Sequence, residues 1–232
     1  GTYPFPADAG FCNDVAVAAD GAVYVSESYR GRVHRLKPGA AALEVWASDT
    51  AAMNVVDGLA FLADGALYVN TFNTGRLFRI PVNADGTAGA LVPIETSLPL
   101  TRPDGLRPAG PRTLLQAEQG GRVAELTIDG NRAAVRVLRD GLSRAAGVTL
   151  VGDTAFVQVF DARKAIAVPY RAPSAGAAGA PTPPVRKTAV SPAEQALLDL
   201  SRTKWRWMAE KKADTLAALF HDDAVFVHMG GA

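Results

Sequence analysis

The sequence lacks several features that would point to common classes of protein. Cys12 is the only cysteine among 232 residues, which excludes an intrachain disulfide and a cysteine-based zinc cage. The charges nearly cancel, with 24 Lys and Arg against 23 Asp and Glu, so the composition does not indicate nucleic acid or an anionic membrane as a partner. No apolar run is long enough to span a bilayer. No GxSxG motif indicates a serine nucleophile.

The dominant feature that is present is an internal repeat. The segment 11–36, FCNDVAVAADGAVYVSESYRGRVHRL, recurs at 55–80, and its turn pair Asp20-Gly21 corresponds to Asp64-Gly65, 44 positions later. Looser copies follow at 102–126 and 145–160. Each copy contains short apolar strands separated by glycine-containing turns. A repeat of this length and content is typical of a β-propeller, in which neighbouring blades bury each other's faces.

The composition changes after residue 170. Residues 171–191 are mostly Ala, Gly and Pro, which indicates an interdomain linker. Residues 192–232 follow the start of a capping box at Ser191 and predict two helices and a strand. The predicted fold is therefore mainly β, with a partial propeller at 1–170, a linker at 171–191 and the first helices and strand of an α+β domain at 192–232. Four repeats are too few for so regular a ring, and the last segment has too little core to fold well alone, so we expect both domains to be truncated.

These motifs resemble two known families. The segments NDVAV (13–17), DGLAF (57–61) and RPDGL (102–106) make residues 10–170, approximately, resemble the senescence marker protein/gluconolactonase/luciferin-regenerating enzyme family. That resemblance implies a six-bladed propeller, of which about four blades are present here. The segment LLDLSRTKWRWMAEKKADTLAALFHDDAVFVHMGG makes residues 193–232, approximately, resemble the start of a nuclear-transport-factor-like (SnoaL-like) cone domain.

One position of the repeat carries residues that could perform chemistry. Aligning the copies on their first strand places Asn13, Asp57 and Asp104 at equivalent positions, 44 and 47 residues apart. In a propeller this position opens each innermost strand and faces the central channel. Side-chain oxygens from three blades would suit a hard divalent cation such as calcium. Asp and Asn are also common turn residues, so a purely structural role remains an alternative. The fourth copy has Ala146 here and offers no ligand.

The resemblance to the first family implies roles for these residues. Asn13, Asp57 and Asp104 would bind a divalent metal ion, calcium or zinc, with Asn13 as a ligand or as a substrate-orienting amide. A further glutamate ligand would come from a blade that precedes this chain. Asp104 would be the general base in the hydrolysis of a small-molecule substrate, a lactone or similar cyclic ester, by water that the cation activates. The alternative function is a non-catalytic propeller that binds a ligand or a partner protein, with the C-terminal domain forming a homodimer.

Three other polar residues are predicted to lie outside this site. His34 stands in a blade strand and is expected to face outward at the surface. Glu27 and Glu118 follow inner strands; one alternative is that they face the mouth of the channel, but they are expected to lie in solvated loops. A periplasmic or secreted location is expected only if a signal peptide precedes Gly1, because relatives with this arrangement are often exported in bacteria.

Overall fold

The computed structural model describes residues 2–6, 8 and 10–172, which form four β-blades in succession. This arrangement confirms the predicted mainly β, propeller-type fold. The only helical element in these ranges is one 3-10 turn, Ser28–Arg30. No helix in these ranges is long and apolar enough to cross a bilayer. The predicted linker, apart from residues 171 and 172, and the predicted domain at 192–232 lie outside the described residues.

Each of the first three blades has four antiparallel strands in chain order, and the outer strands of blades 2 and 3 also pair in parallel, which joins these two blades into one eight-stranded sheet. Blade 1 comprises β1 (Cys12–Val17), β2 (Val23–Glu27), β3 (Arg32–Leu36) and β4 (Glu44–Ser48). Blade 2 comprises β5 (Val56–Phe61), β6 (Leu67–Thr71), β7 (Arg76–Ile80) and β8 (Val92–Thr96). Blade 3 comprises β9 (Pro103–Gly110), β10 (Thr113–Glu118), β11 (Arg122–Asp129) and β12 (Arg132–Arg139). The described part of blade 4 comprises β13 (Ala145–Val151), β14 (Thr154–Val159) and β15 (Lys164–Pro169).

The turns between the first two strands of a blade follow the local chemistry of the repeat. The Asp20 carboxylate accepts a hydrogen bond from the N–H two residues later at 2.9 Å, and Gly21 takes a positive φ of 85°. Asp64 makes the same bond at 3.1 Å, and Gly65 has a φ of 73°. Asp closes such a turn through its side chain and Gly adopts positive φ without steric cost. The predicted reversals are therefore confirmed.

The core consists of layers between adjacent blades. Successive side chains of a strand point to opposite faces of the sheet, so one strand supplies two layers. In β6, Leu67 and Val69 pack with blade 1 while Tyr68 packs with blade 3. In β10, Leu114 faces blade 2 and Leu115 faces blade 4. Since burying a large apolar side chain contributes about 1.5–3 kcal/mol, each blade is stabilised mainly by its neighbours.

The innermost strands approach one another closely because glycine follows both predicted aspartates. A Cβ atom at Gly58 would clash with the backbone oxygen of Asp104, and one at Gly105 would lie 2.8 Å from the backbone oxygen of Ala146. Real Cβ atoms essentially never come this near to another atom. Each Asp-Gly pair of the repeat therefore has two roles. The aspartate supplies a side chain to the candidate site, and the glycine lets the inner strand of the next blade pack closely against its own strand.

Candidate functional site at the mouth of the channel

Asn13, Asp57 and Asp104 lie at the beginning of β1, β5 and β9, at the same end of their blades. In each of these strands the pairing register shifts within the four residues that span the site residue. Such bulges re-aim side chains and are common beside functional sites. The structure thus places the three residues equivalently, as the repeat predicts, and departs from regular strand geometry at each of them.

The backbone is strained just before both aspartates. Val55 has a φ of 52° and Arg102 a φ of 50°, and each stands two residues ahead of its aspartate. Positive φ is a genuine outlier for a β-branched residue such as valine. Strain of this kind costs roughly 1–3 kcal/mol per residue and concentrates at functional sites. Its repetition at equivalent positions in blades 2 and 3 ties the strain to the placement of Asp57 and Asp104.

The side chains of the three predicted residues are brought together. Asp57 and Asp104 are 5% and 6% exposed, and their carboxyl groups lie close enough for the charge of Asp104 to raise the pKa of Asp57. Asn13, which is partly buried, also lies close enough to lower the pKa of Asp57. Residues from three separate blades therefore form one connected polar group, whereas Ala146 contributes none, as its side chain predicts.

Burial and mutual repulsion alter the ionisation of this pair. Burial, followed by the nearby charges of Asp104 and Asp14, raises the pKa of Asp57 to about 8, although a hydrogen bond from Asn13 opposes the rise. Burial also raises the pKa of Asp104 to about 6, opposed mainly by a hydrogen bond from Gln119. Two carboxylates in contact cannot both ionise easily. Near neutral pH the pair therefore shares one proton.

Gln119 is a site residue that the sequence reasoning missed. Its Nε2 group donates a hydrogen bond to Asp104 Oδ2 at 2.6 Å. The equivalent position in blade 1, directly after β2, is Ser28, whose Oγ accepts a hydrogen bond from Asn13 Nδ2 at 3.0 Å. In both blades, then, the residue that follows the second strand orients the site residue that opens the first. Aligning the ends of the second strands could have revealed this pattern.

A second missed feature is an ion pair between the inner strands of blades 1 and 3. Arg107 Nη1 lies 2.7 Å from Asp14 Oδ2, and Arg107 Nη2 lies 2.9 Å from Asp14 Oδ1. Asp14 Oδ2 also accepts the backbone N–H of Leu59 in blade 2 at 3.0 Å. Asp14 occupies the position where the other copies have Gly58 and Gly105. An aspartate in place of the glycine of the other copies is the sequence signal that could have indicated this ion pair.

Side chains of the second strands fix the backbone of the site residues. Ser26 Oγ donates to the carbonyl oxygen of Asp57 at 2.7 Å. At the equivalent position one blade later, Asn70 Nδ2 donates to the carbonyl oxygen of Asp104 at 2.7 Å. Asn70 Oδ1 also accepts the N–H of Gly58 at 2.8 Å. The bonds from Ser26 and from Asn70 Nδ2 cross from one blade to the next, so the spacing of Asp57 and Asp104 depends on buried polar contacts between blades.

The predictions for His34, Glu27 and Glu118 are wrong. All three side chains are fully buried. His34 Nε2 lies 2.7 Å from Glu27 Oε2, so the histidine that was expected at the surface is paired inside the blade. Glu27 accepts the N–H of Gly10 at 2.6 Å, and Glu118 accepts that of Thr101 at 2.6 Å. Both glutamates anchor the segment that leads into an inner strand, because a buried carboxylate must be hydrogen-bonded or paired.

The oxygens of Asn13, Asp57 and Asp104 are the candidates for holding a divalent cation. The repulsion between Asp57 and Asp104 can be relieved by a proton or by a cation held between oxygens. Among the described residues, no group of three or more His, Cys, Asp or Glu side chains is arranged to hold a metal. The set at this place consists of two carboxylates and the Asn13 amide. Carboxylate and amide oxygens are ligands that calcium accepts, whereas zinc favours nitrogen and sulfur.

Comparisons with known proteins identify the fold. No family model and no curated protein sequence matches the chain. Among solved structures, virginiamycin B lyase from Staphylococcus aureus aligns with a TM-score of 0.58 and 16% identity, over 73% of this chain and 55% of the lyase. A gluconolactonase from Xanthomonas campestris aligns with a TM-score of 0.56 and 21% identity, over 68% of this chain and 56% of the enzyme.

A structural-genomics target assigned to the gluconolactonases has 25% identity and a TM-score of 0.55, over 68% of this chain and 58% of its own length. The chain thus spans just over half the length of the structures it matches. These similarities establish a propeller fold that the chain shares with gluconolactonase structures. The likeness of residues 193–232 to a cone domain lies outside the described residues and stays a prediction.

Proposed function

We propose that this propeller is a hydrolase of a lactone or a similar cyclic ester and that its reaction takes place at Asp57 and Asp104. The observation that carries the proposal is the burial of these two neighbouring carboxyl groups at the start of their inner strands, which raises the pKa of Asp57 to about 8 and that of Asp104 to about 6. Two carboxyl groups whose pKa values differ can act as acid and base at one pH. The structural similarity to gluconolactonases supports the choice of substrate class.

Asp104 is the general base in this proposal. Its ionised carboxylate, held by Gln119, accepts a proton from the water molecule whose oxygen attacks the lactone carbonyl carbon. The new C–O bond forms, the ring C–O bond breaks, and the ring oxygen takes the proton from Asp104. The product is the open hydroxy acid. Asn13 orients the substrate through its amide, and no covalent enzyme intermediate is required.

A divalent cation, when bound at these oxygens, would polarise the carbonyl group and lower the pKa of water. Asn13, Asp57 and Asp104 would hold it, and calcium is the better match to their oxygens. Asp57 would then release its proton, because the cation replaces the proton as the charge between the two carboxylates. The contribution of this chain is the alignment of those oxygens by the strand bulges and by the hydrogen bonds from Ser26 and Asn70.

The test compares the chain with its Asp104→Asn variant in two measurements. Calcium, and then zinc, is titrated calorimetrically, and proton release from a panel of lactones is followed with a pH indicator. We expect binding and turnover in the unchanged chain, with turnover lowered at least about a hundredfold in the variant, as is usual when a general base is lost. Asp129→Asn is the matched control, since Asp129 is 92% exposed at the far end of blade 3. Equal turnover in Asp104→Asn and Asp129→Asn would overturn the proposal.

A propeller that binds a ligand or a partner protein without catalysis is the second candidate. It is favoured by the small number of carboxylates at the site, since the described residues provide no cluster of three metal-binding side chains of the His, Cys, Asp and Glu types. The same experiment separates the two functions. Absence of turnover with every lactone in the panel would favour the binding protein, and the proposed homodimer through residues 192–232 would then be its next test.

A further inference from the structure

A cavity of about 330 Å³ lies between blades 2 and 3, at the end of the blades that is opposite to the candidate site. Its walls include Asp64 in the β5–β6 turn, Tyr68 on β6, Arg79 on β7 and Arg112 in the β9–β10 turn. Asp57 stands at the start of β5, whereas Asp64 follows its end. A strand of this length spans about 17–20 Å, so the cavity is separate from the site of the proposed reaction.

The position that Arg79 occupies in the repeat carries a neutralised charge in blades 1 and 3. In blade 1 it is Arg35, which pairs with Glu44 on β4 through hydrogen bonds of 2.5 and 2.8 Å. In blade 3 it is Glu125, which pairs with Arg136 on β12 through hydrogen bonds of 2.6 and 3.1 Å. The signs are reversed between the two blades, but in both the fourth strand supplies the opposite charge to the third.

Blade 2 lacks this compensation. Arg79 pairs in register with Val92 on β8, and no carboxylate of the described residues lies within ion-pair distance of its guanidinium group. Its Nη2 group donates to Asn131 Oδ1 at 3.1 Å, and its Nε atom is buried without an acceptor in that part of the chain. A half-buried cation with an unpaired donor is unfavourable, so the group favours a ligand that brings an anionic oxygen.

The cavity exists because the β11–β12 turn is short. In the corresponding place between blades 1 and 2, the carbonyl oxygen of Gly86 accepts hydrogen bonds from Arg35 and Trp46. Gly86 belongs to the connection between β7 and β8, which comprises residues 81–91, whereas only residues 130 and 131 join β11 to β12. The shorter turn reaches Arg79 through Asn131 alone and leaves space beside the guanidinium group.

The other charges at the cavity do not contact Arg79 directly. Asp64 Oδ1 accepts the backbone N–H two residues later at 3.1 Å, and its Oδ2 accepts the hydroxyl of Tyr68 at 2.9 Å. Arg112 and Asp129 lie 3.8 Å apart and are 71% and 92% exposed, so water and salt screen both charges. These four charged groups sum to zero, which suits a ligand with one carboxylate better than a multiply charged anion.

We propose that this cavity binds a small organic monocarboxylate, with its carboxylate on Arg79 and its hydrocarbon portion against Leu62, Pro111 and Ile128. These three apolar residues line the cavity together with the charged ones. Arginine pairs with a carboxylate through two parallel hydrogen bonds. The volume is at the lower end of the range for small-molecule sites, so the ligand is about the size of a single ring. This site does not depend on the proposed hydrolase function.

The test uses benzoate and benzamide, which have the same shape and differ in charge. A ligand-observed NMR titration of the chain gives the Kd of each probe and requires no turnover. We expect Arg79→Gln to weaken benzoate binding at least about tenfold, the effect of losing a charge-assisted pair, and to change benzamide binding less than about twofold. Arg139→Gln is the matched control, because Arg139 is exposed at the end of β12 that is away from the cavity.

A second variant, Val92→Glu, leaves Arg79 in place. It puts on β8 the carboxylate that Glu44 provides on β4, in the same register with the arginine. Because blade 1 accommodates this pair, the variant should remain folded, as a thermal melt would show. It should also bind benzoate at least about tenfold more weakly, since its own carboxylate occupies the guanidinium group.

Three results would overturn the proposal. The first is the absence of saturable benzoate binding to the unchanged chain. The second is equal affinity for benzoate and benzamide, which would mean that Arg79 does not recognise the charge. The third is benzoate affinity that Arg79→Gln lowers no more than Arg139→Gln does, or that a folded Val92→Glu variant retains in full.

Discussion

Arg107 and Asp14 form a two-pronged ion pair between the inner strands of blades 1 and 3, with nitrogen–oxygen distances of 2.7 and 2.9 Å across 93 residues of sequence. Asp14 also receives a backbone N–H from Leu59 in blade 2. One carboxylate thus contacts three successive blades at the place where the candidate site is assembled. The charge of Asp14 contributes to the raised pKa of both Asp57 and Asp104.

Replacing Arg107 with methionine should destabilise the propeller by about 2–3 kcal/mol. Breaking a fully buried pair costs roughly 3–5 kcal/mol because one charge is left buried alone; here the loss is smaller because the Arg107 side chain is 37% exposed. Urea denaturation measures the free energy of unfolding. Arg112→Met is the control, since Arg112 is 71% exposed and makes only a 3.8 Å contact with Asp129. Equal stability of the two variants would contradict a structural role for the pair.

Asp57 should make the protein less stable as the pH rises. Its pKa is about 8 in the folded state and near 3.8 as an ordinary carboxyl, so between these values the folded protein binds the extra proton. The contribution of Asp57 is therefore complete below about pH 4 and is lost as the pH rises through about 8. Asp57→Asn keeps a donor toward Asp104 and removes this dependence. As the pH rises through this window, the free energy of unfolding of the variant should increase relative to that of the unchanged chain by up to about 1.4 kcal/mol per pH unit.

Denaturation curves between about pH 5 and 8 would measure this difference, because the carboxyl groups outside the Asp57–Asp104 pair contribute equally to both proteins. Asp129→Asn, at an exposed position, should run parallel to the unchanged chain over the same range. A constant difference between Asp57→Asn and the unchanged chain would show that Asp57 ionises normally in the folded protein.

Calcium binding should become weaker as the pH falls from about 8 to 6. Asp57 must lose its proton before its carboxylate can bind a cation, and burial beside Asp104 raises the pKa of Asp57 to about 8. One displaced proton lowers the affinity by at most about tenfold per pH unit. Calorimetry in two buffers of different ionisation enthalpy measures both the affinity and the proton released. Calcium affinity that is the same at both ends of this range would contradict binding at Asp57.

Gly58→Ala should destabilise the protein and displace the site. The added methyl group would clash with the backbone oxygen of Asp104 and lie 2.7 Å from the Cβ atom of Leu106, so the inner strands of blades 2 and 3 would have to separate. Overpacking of this kind costs about 1–3 kcal/mol. The control is Gly110→Ala in the same pair of blades, where the nearest atom would be 3.5 Å away. A thermal melt compares them, and equal melting temperatures would contradict the close approach.

The fold was predictable from the sequence because its signals are local. The turns at Asp20 and Asp64 are made by contacts two residues apart, and strand alternation repeats with the period of the blade. The same periodicity placed Asn13, Asp57 and Asp104 at equivalent positions. These features depend on short-range geometry, and the same local pattern occurs in several copies of the repeat.

The contacts between residues far apart in sequence depended on the curvature that brings the blades together. The repeat by itself determined a propeller and the equivalence of its site residues. Only the tertiary structure decided that Arg107 meets Asp14, that Gln119 holds Asp104, and that His34 is buried against Glu27. Contacts between residues far apart in sequence follow from how sheets pack, and a lone charged residue in a strand looks the same whether its partner is water or a buried carboxylate.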